Sequence, residues 1–195
     1  MLRIERLSGE ALQQYLPDLA RLRITVFREF PYLYEGEMAY EERYLQTYIE
    51  SKGSVVVLAW DGERIVGAST GIPLSEETPN VKAPFIEAGY PVDEIFYCGE
   101  SVLLSEYRGQ GAGVAFFEHR EAHAKENGYK YSCFCAVQRP QDHPLRPADY
   151  VPLNRFWENR GYRIQPQLQT EFSWKEVGEE TESPKLMTFW MKELA

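Results

Sequence analysis

Three glycines at alternate positions, Gly109, Gly111 and Gly113, join a strand-like run, Ile95–Leu104, to a helical stretch that closes at Asn127-Gly128. A strand that enters a glycine turn and leaves it as a helix is the arrangement that most restricts this chain. Glycines let the backbone approach a ligand and take conformations that a side chain forbids. Several amide N–H groups then converge at the positive end of a helix, which suits a phosphate or pyrophosphate. Two rival loops fail on spacing. A nucleotide-hydrolase loop needs Gly-Lys-Ser/Thr, and no lysine follows here; the dinucleotide fingerprint needs glycine where this chain has Val114.

The pattern around that loop predicts an α+β chain. Leu2–Leu7 reads as a strand. Leu12, Leu16, Leu19, Leu22, Val26 and Phe30 then recur at steps of three or four, an amphipathic helix that Pro17 kinks or restarts. An aromatic loop at Pro31–Gly36 leads to a second helix over Met38–Glu50, with Tyr40, Tyr44 and Tyr48 on one stripe. Val55–Trp60 and Arg64–Ile72 flank Asp61-Gly62-Glu63, a hairpin signal. Leu74–Pro91 reads as a proline-rich connection with a short helix near Pro84–Ala88. After the glycine loop and its helix come a strand at Tyr131–Val137, a loop at Gln138–Pro152, a short helix at Leu153–Arg160, and strands at Gln167–Lys175 and Lys185–Glu193. Hairpins mixed with crossovers imply a mixed sheet with helices packed on it. With no internal repeat and no linker, residues 1–195 are expected to form one domain.

Charge and cysteine content narrow the function classes. Residues 1–103 hold 9 Lys/Arg against 17 Asp/Glu, a balance of −8, and residues 104–195 hold 12 against 13, a balance of −1. A total of −9 disfavours nucleic acid, which needs a basic face. No apolar run reaches the roughly 20 residues of a membrane helix, and the N-terminus lacks a signal-peptide layout. Three cysteines argue against a disulfide scaffold and for a cytoplasmic location. His119 and His123 share a helix face, and Cys133 and Cys135 a strand face, but neither pair has the convergent spacing of a zinc site, so no metal is expected.

Arg108-x-x-Gly111-x-Gly113, preceded by a strand and followed by a helix, resembles the pyrophosphate motif of the GCN5-related N-acetyltransferases (GNAT). Leu103-x-x-x-Tyr107-Arg108-Gly109 fits the same motif, and Phe156-Trp157-Glu158-Asn159-Arg160-Gly161-Tyr162 is similar to the family's downstream aromatic segment. The order of elements matches over about residues 1–193. The aromatic segment at 27–34 and the proline loop give it the look of a bacterial branch. The resemblance implies a GNAT-like acyl-CoA fold, its mixed sheet mostly antiparallel with helices on both faces, and acetyl-CoA as co-substrate. In that reading the backbone of Val102, Leu103 and Leu104 pairs with the pantetheine arm. The amides of Arg108, Gly109, Gln110, Gly111, Ala112 and Gly113 hold the pyrophosphate, and Phe156 packs beside the cofactor.

The implied reaction sets further requirements. A primary amine with a pKa near 10.4 is neutral in only about one molecule in a thousand at neutral pH, a cost of roughly 4 kcal/mol. A positioned base contributes about 10²–10⁴ in rate. Glu100, on the strand entering the loop, is the candidate base, the alternative being that it merely pairs with a cation or faces solvent; strand parity decides, because a shift of one residue turns it to the other face. For the leaving thiolate, the family's tyrosine position holds Trp157, whose indole N–H is no such donor; Tyr150 is the candidate substitute. Tyr32, Tyr34 and His143 are the candidate acceptor-binding residues, with rim or core packing the simpler alternative. The expected partner is a small, cationic amine and the expected state a monomer or homodimer. The competing expectations are an acyl-CoA-binding module with little catalysis and a transferase using charged tRNA, the latter opposed by the acidic charge.

Overall fold

The computed structural model describes residues 1–195. Its elements run β1 (Arg3–Leu7), α1 (Leu16–Phe27), α2 (Met38–Glu50), β2 (Val55–Asp61), β3 (Arg64–Pro73), α3 (Pro79–Glu87), β4 (Ile95–Leu103), α4 (Ala112–Glu126), β5 (Tyr131–Val137), α5 (Asn154–Asn159), β6 (Arg163–Trp174) and β7 (Ser183–Glu193). The seven strands form one sheet in the order β1-β2-β3-β4-β5-β7-β6. Every neighbouring pair is antiparallel except β4 and β5. The mixed α+β reading of the sequence therefore holds, with α1, α2 and α3 over one face and α4 and α5 over the other.

Local chemistry explains most boundaries. Gly9–Tyr15 forms a 3-10 turn and Pro17 starts α1, where a missing N–H is harmless. Gly62 makes the β2–β3 turn at φ +58°, and Gly128 ends α4 at φ +81°. Val55–Trp60 shows no alternation because both faces of β2 are covered.

Two elements differ from expectation. The helix placed near Pro84–Ala88 starts earlier, at Pro79, and carries Pro84 inside it. Proline there leaves the carbonyl of Asn80 without its helical donor, and the Thr170 hydroxyl supplies one at 2.7 Å. The strand expected from Gln167 begins at Arg163 and slips register between Gln165 and Gln169. β6 is an edge strand, where Pro166 is tolerated, and the slip tucks Leu168 fully into the core.

The parallel pairing of β4 with β5 covers only Ile95–Tyr97 against Tyr131–Cys133. Beyond it the strands part, leaving the far ends of both with a free edge facing a gap.

Candidate active site

The glycine loop lies at one end of this gap. Gly109 and Gly111 take φ +75° and +89°, conformations that disfavour any side chain, and a Cβ at either would meet no atom within 4 Å. The first backbone bond inside α4 runs from Ala115 N to Gly111 O at 3.1 Å, so the amides of Ala112, Gly113 and Val114 have no partner within the helix. Arg108 does not reach into the cradle. Its guanidinium donates to Leu103 O at 3.2 and 3.1 Å and pairs with Glu29 at 2.9 Å, fastening the loop to β4 and to the end of α1. Gln110 donates to Glu106 O at 3.3 Å and braces the turn from within. Phe156 of α5 stands behind Gly113, 3.3 Å from where a Cβ would sit.

The backbone of β4 has two edges. Leu104 N donates to Val66 O at 3.0 Å, and Val102 O lies beside Gly67, so these even-numbered residues bond toward β3. Ser101 and Leu103 then direct their backbone groups into the gap. The Val102 side chain is buried in the core under α1.

A β-bulge decides what faces the acceptor side. Thr70 pairs with Glu100, but Gly71 pairs with Cys98, so Gly99 is the extra residue. Below the bulge, Phe96 and Cys98 point to the α4 face, and Ile95 and Tyr97 to the α1–α3 face. An unbroken strand would turn Glu100 toward α4. The bulge reverses the parity and brings Glu100 against α1 and α2 instead. Only glycine fits at the pivot, because a Cβ on Gly99 would lie 2.8 Å from Thr70 Oγ1 and closer still to the Tyr48 hydroxyl.

Glu100 is 9% exposed and ion-paired with Arg23 of α1, and it accepts a hydrogen bond from the Tyr44 hydroxyl at 3.0 Å. Arg23 also pairs with the fully buried Glu41, which accepts from the Tyr34 hydroxyl at 2.7 Å. Burial alone would lower the pKa of Arg23, but the charges of Glu100 and Glu41 hold it well above its ordinary value. Tyr44 covers the guanidinium at 4.3 Å and bonds Tyr48 at 3.1 Å. Burial, with the charge of Glu100 second, pushes the Tyr44 hydroxyl up, so it stays a donor. One arginine faces two carboxylates, a formal charge of −1. Glu77, from the segment crossing between β3 and α3, is a further carboxylate whose pKa burial raises, with Glu100 adding to the rise.

Three separate segments close the α1–α2 side of the gap. Glu35 N donates to Lys175 O at 2.9 Å and Val177 N to Leu33 O at 2.8 Å, pairing the 31–37 loop with the β6–β7 turn. Trp174 Nε1 donates to Tyr32 O at 3.0 Å. Arg139 donates to Pro31 O at 2.7 Å and Tyr32 O at 3.1 Å and pairs with Glu176, drawing in the proline loop. Tyr150 meets Phe30 edge-on at 4.8 Å and is covered by Arg146 at 4.9 Å. Its hydroxyl is pushed up by burial. His143 lies 5.5 Å from Phe30 and accepts from Leu145 N at 3.1 Å through Nδ1. Burial pushes the Tyr32 hydroxyl up, with Cys135, Tyr150 and Glu100 adding to the rise.

Glu100 thus joins the Arg23–Tyr44 cluster, Tyr32 packs on Phe27 at 4.9 Å, Tyr150 and His143 both meet Phe30, and Tyr34 is tied to Glu41. Tyr40, on the expected stripe, is 52% exposed and takes no part. Trp157 packs against Phe134 and Trp190 at 5.0 and 5.1 Å. Arg23, Glu41 and Glu77 carry no sequence signal of their own. A charged residue at a core-facing step of each of the first two helices was the available hint.

The sequence matches the model of the acetyltransferase (GNAT) family over residues 19–147. No curated protein matches the chain. Among solved structures, ribosomal-protein-alanine N-acetyltransferase from Brucella melitensis is similar, with a TM-score of 0.65 at 12% identity over 98% of this chain and 99% of that one. An acetyltransferase of the GNAT family from Staphylococcus aureus Mu50 gives 0.60 at 12% identity over 99% and 100%. The ribosomal-protein-S18-alanine N-acetyltransferase of Escherichia coli gives 0.59 at 10% identity over 100% and 95%. At these identities the likeness is one of fold.

Proposed function

The chain belongs to the acetyltransferase (GNAT) family, and from that premise we propose that it transfers an acetyl group from acetyl-CoA to the primary amine of a small cationic acceptor. The observation that carries this reading is the gap between β4 and β5, with the glycine cradle at one end and a buried cluster of formal charge −1 beside it. The residues present fit an acyl-CoA. Gly109 and Gly111 leave open space, three amides at the start of α4 have no partner within the helix, and Ser101 and Leu103 offer a free strand edge. Leu103 O already accepts two bonds from Arg108, so the free group at that residue is its N–H. Bound there, acetyl-CoA supplies a thioester open to direct attack by an amine held in the same complex.

Glu100 is the proposed base. It holds a negative charge at the gap, where it attracts an ammonium group and takes its proton. Arg23 and Tyr44 fix the orientation of that carboxylate through an ion pair and a hydrogen bond. Tyr150, protonated well past neutral pH, is the proposed donor to the leaving thiolate. Trp157, enclosed by Phe134 and Trp190, is unavailable for that role.

The commitment of Glu100 to Arg23 also favours a second reading, an acyl-CoA-binding module with little catalysis. A panel of n-butylamine, putrescine, spermidine and glycinamide, followed by CoA release, separates the two. Glu100→Gln is expected to lower the rate on the best acceptor by about tenfold or more and to raise the apparent pH optimum. An unchanged pH–rate profile removes Glu100 as base. Saturable acetyl-CoA binding without turnover of any amine selects the binding module, and failure to bind acetyl-CoA in calorimetry defeats both readings.

A further inference from the structure

Arg120 of α4 is 2% exposed and has no carboxylate partner; the neighbouring Glu121 pairs with Lys192 at 2.7 Å. Burying a guanidinium without a counter-charge is costly unless its donors are used, so the acceptors it reaches are informative. Nε donates to Phe116 O of its own helix at 3.3 Å, and the guanidinium lies 4.9 Å from the Phe117 ring. Nη1 crosses to the sheet and donates to Thr70 O at 3.3 Å and to Glu100 O at 3.1 Å. Those two carbonyls belong to the register pair immediately beside the Gly99 bulge.

A bulge interrupts the ladder and leaves backbone groups to be satisfied some other way. Here one nitrogen bridges both strands at the break. The bulge is also the feature that turns Glu100 away from Phe96 and Cys98 and onto the face of Arg23 and Tyr44. We infer that Arg120 is a positioning residue, which pins the β3–β4 bulge from the α4 face and so keeps the Glu100 carboxylate on the acceptor face. It touches neither the acceptor space nor the glycine cradle. Its helix, however, begins at the cradle, so the element that holds the cofactor end also sets the register at Glu100.

The inference rests on Glu100 as base, and a double-mutant cycle tests the two separately. The readout is acetylation of n-butylamine by wild type, Glu100→Gln, Arg120→Met, Arg120→Lys and the paired variants, with acetyl-CoA affinity from calorimetry. Arg120→Met is expected to lower kcat by about tenfold and to leave the Kd of acetyl-CoA within about twofold. Arg120→Lys, which keeps a donor on a long stem, recovers most of that loss. Adding Arg120→Met to Glu100→Gln costs nothing further, because the carboxylate it positions is already gone. Should Arg120→Met not fold by circular dichroism, Arg120→Gln, whose shorter stem withdraws the donor from the sheet, gives the same comparison alone and paired with Glu100→Gln. Penalties that multiply, or a wild-type kcat in Arg120→Met, overturn the inference while Glu100 stands. A wild-type rate in Glu100→Gln alone removes the base, and with it the role of Arg120.

Discussion

Gly99 is one residue with two faces at stake. Its missing side chain leaves room for the Tyr48 hydroxyl and Thr70 Oγ1, and the bulge it forms decides which helix layer Glu100 meets. In Gly99→Ala the new methyl must displace one of these groups. The expected cost is about 1–3 kcal/mol, read as a fall in Tm of roughly 2–10 °C for a chain of this size, together with a slower acetylation rate. Equal Tm and equal rate would show that the strand absorbs the change. Cys135 makes the opposite point. It stands at the open end of β5, only partly covered, yet burial of the sulfur pushes its thiol up to about 12, with the charge of Glu77 adding and a hydrogen bond with Tyr97 opposing. The thiolate is the reactive form, so iodoacetamide at pH 8 is expected to leave Cys135 unlabelled, with reaction growing only as the pH climbs toward 12. Rapid labelling at pH 8 would contradict that burial.

At the scale of elements, the loop between β4 and α4 was legible because its chemistry is local. Glycine spacing, a strand before and a helix after are all properties of adjacent residues, and the φ angles of Gly109 and Gly111 follow the expected pattern. Gly111→Ala would force a side chain into the left-handed region at about 1–2 kcal/mol and push a methyl into the open cradle. Calorimetry is expected to show acetyl-CoA affinity reduced by about tenfold, the equivalent of roughly 1.4 kcal/mol. A Kd within twofold of wild type would move the cofactor elsewhere. α3 and the start of β6 were less legible, because their support comes from elsewhere. Pro79 and Pro84 read as breakers along the chain, and only the Thr170 hydroxyl, donating to Asn80 O at 2.7 Å, shows why a helix survives them. Of the wall formed by the 31–37 loop, the proline loop and the β6–β7 turn, the sequence singles out the first two, and not the turn or the single surface they make. Arg139, bonding Pro31 O and Tyr32 O, is what unites them.

For the whole molecule, the charge asymmetry of the sequence acquires a location. The acidic run 1–103 builds β1 through β4 with the three helices on the acceptor face, and the nearly neutral remainder builds the cradle, α4, α5 and the other strands. The seam between the two runs is the β4–β5 gap. No helix is long and apolar enough to cross a membrane. Acetyl-CoA at 100 times its Kd is expected to stabilise the fold by about 2.7 kcal/mol and to raise Tm by roughly 5–10 °C. No shift at saturation would mean that the gap does not take an acyl-CoA.

The sequence by itself determined the strand-turn-helix with its glycine turn, the alternation of hairpins and crossovers, and the presence of a carboxylate on the strand entering the loop, since each depends on residues close in the chain. Which face that carboxylate meets depended on a single slip of register between β3 and β4. Its partners, Arg23 from one helix and Tyr44 from the next, and the Arg120 bridge behind it, come from segments far apart in sequence. Strand parity and the pairing of buried charges are settled by packing across the sheet, and only the tertiary structure could decide them.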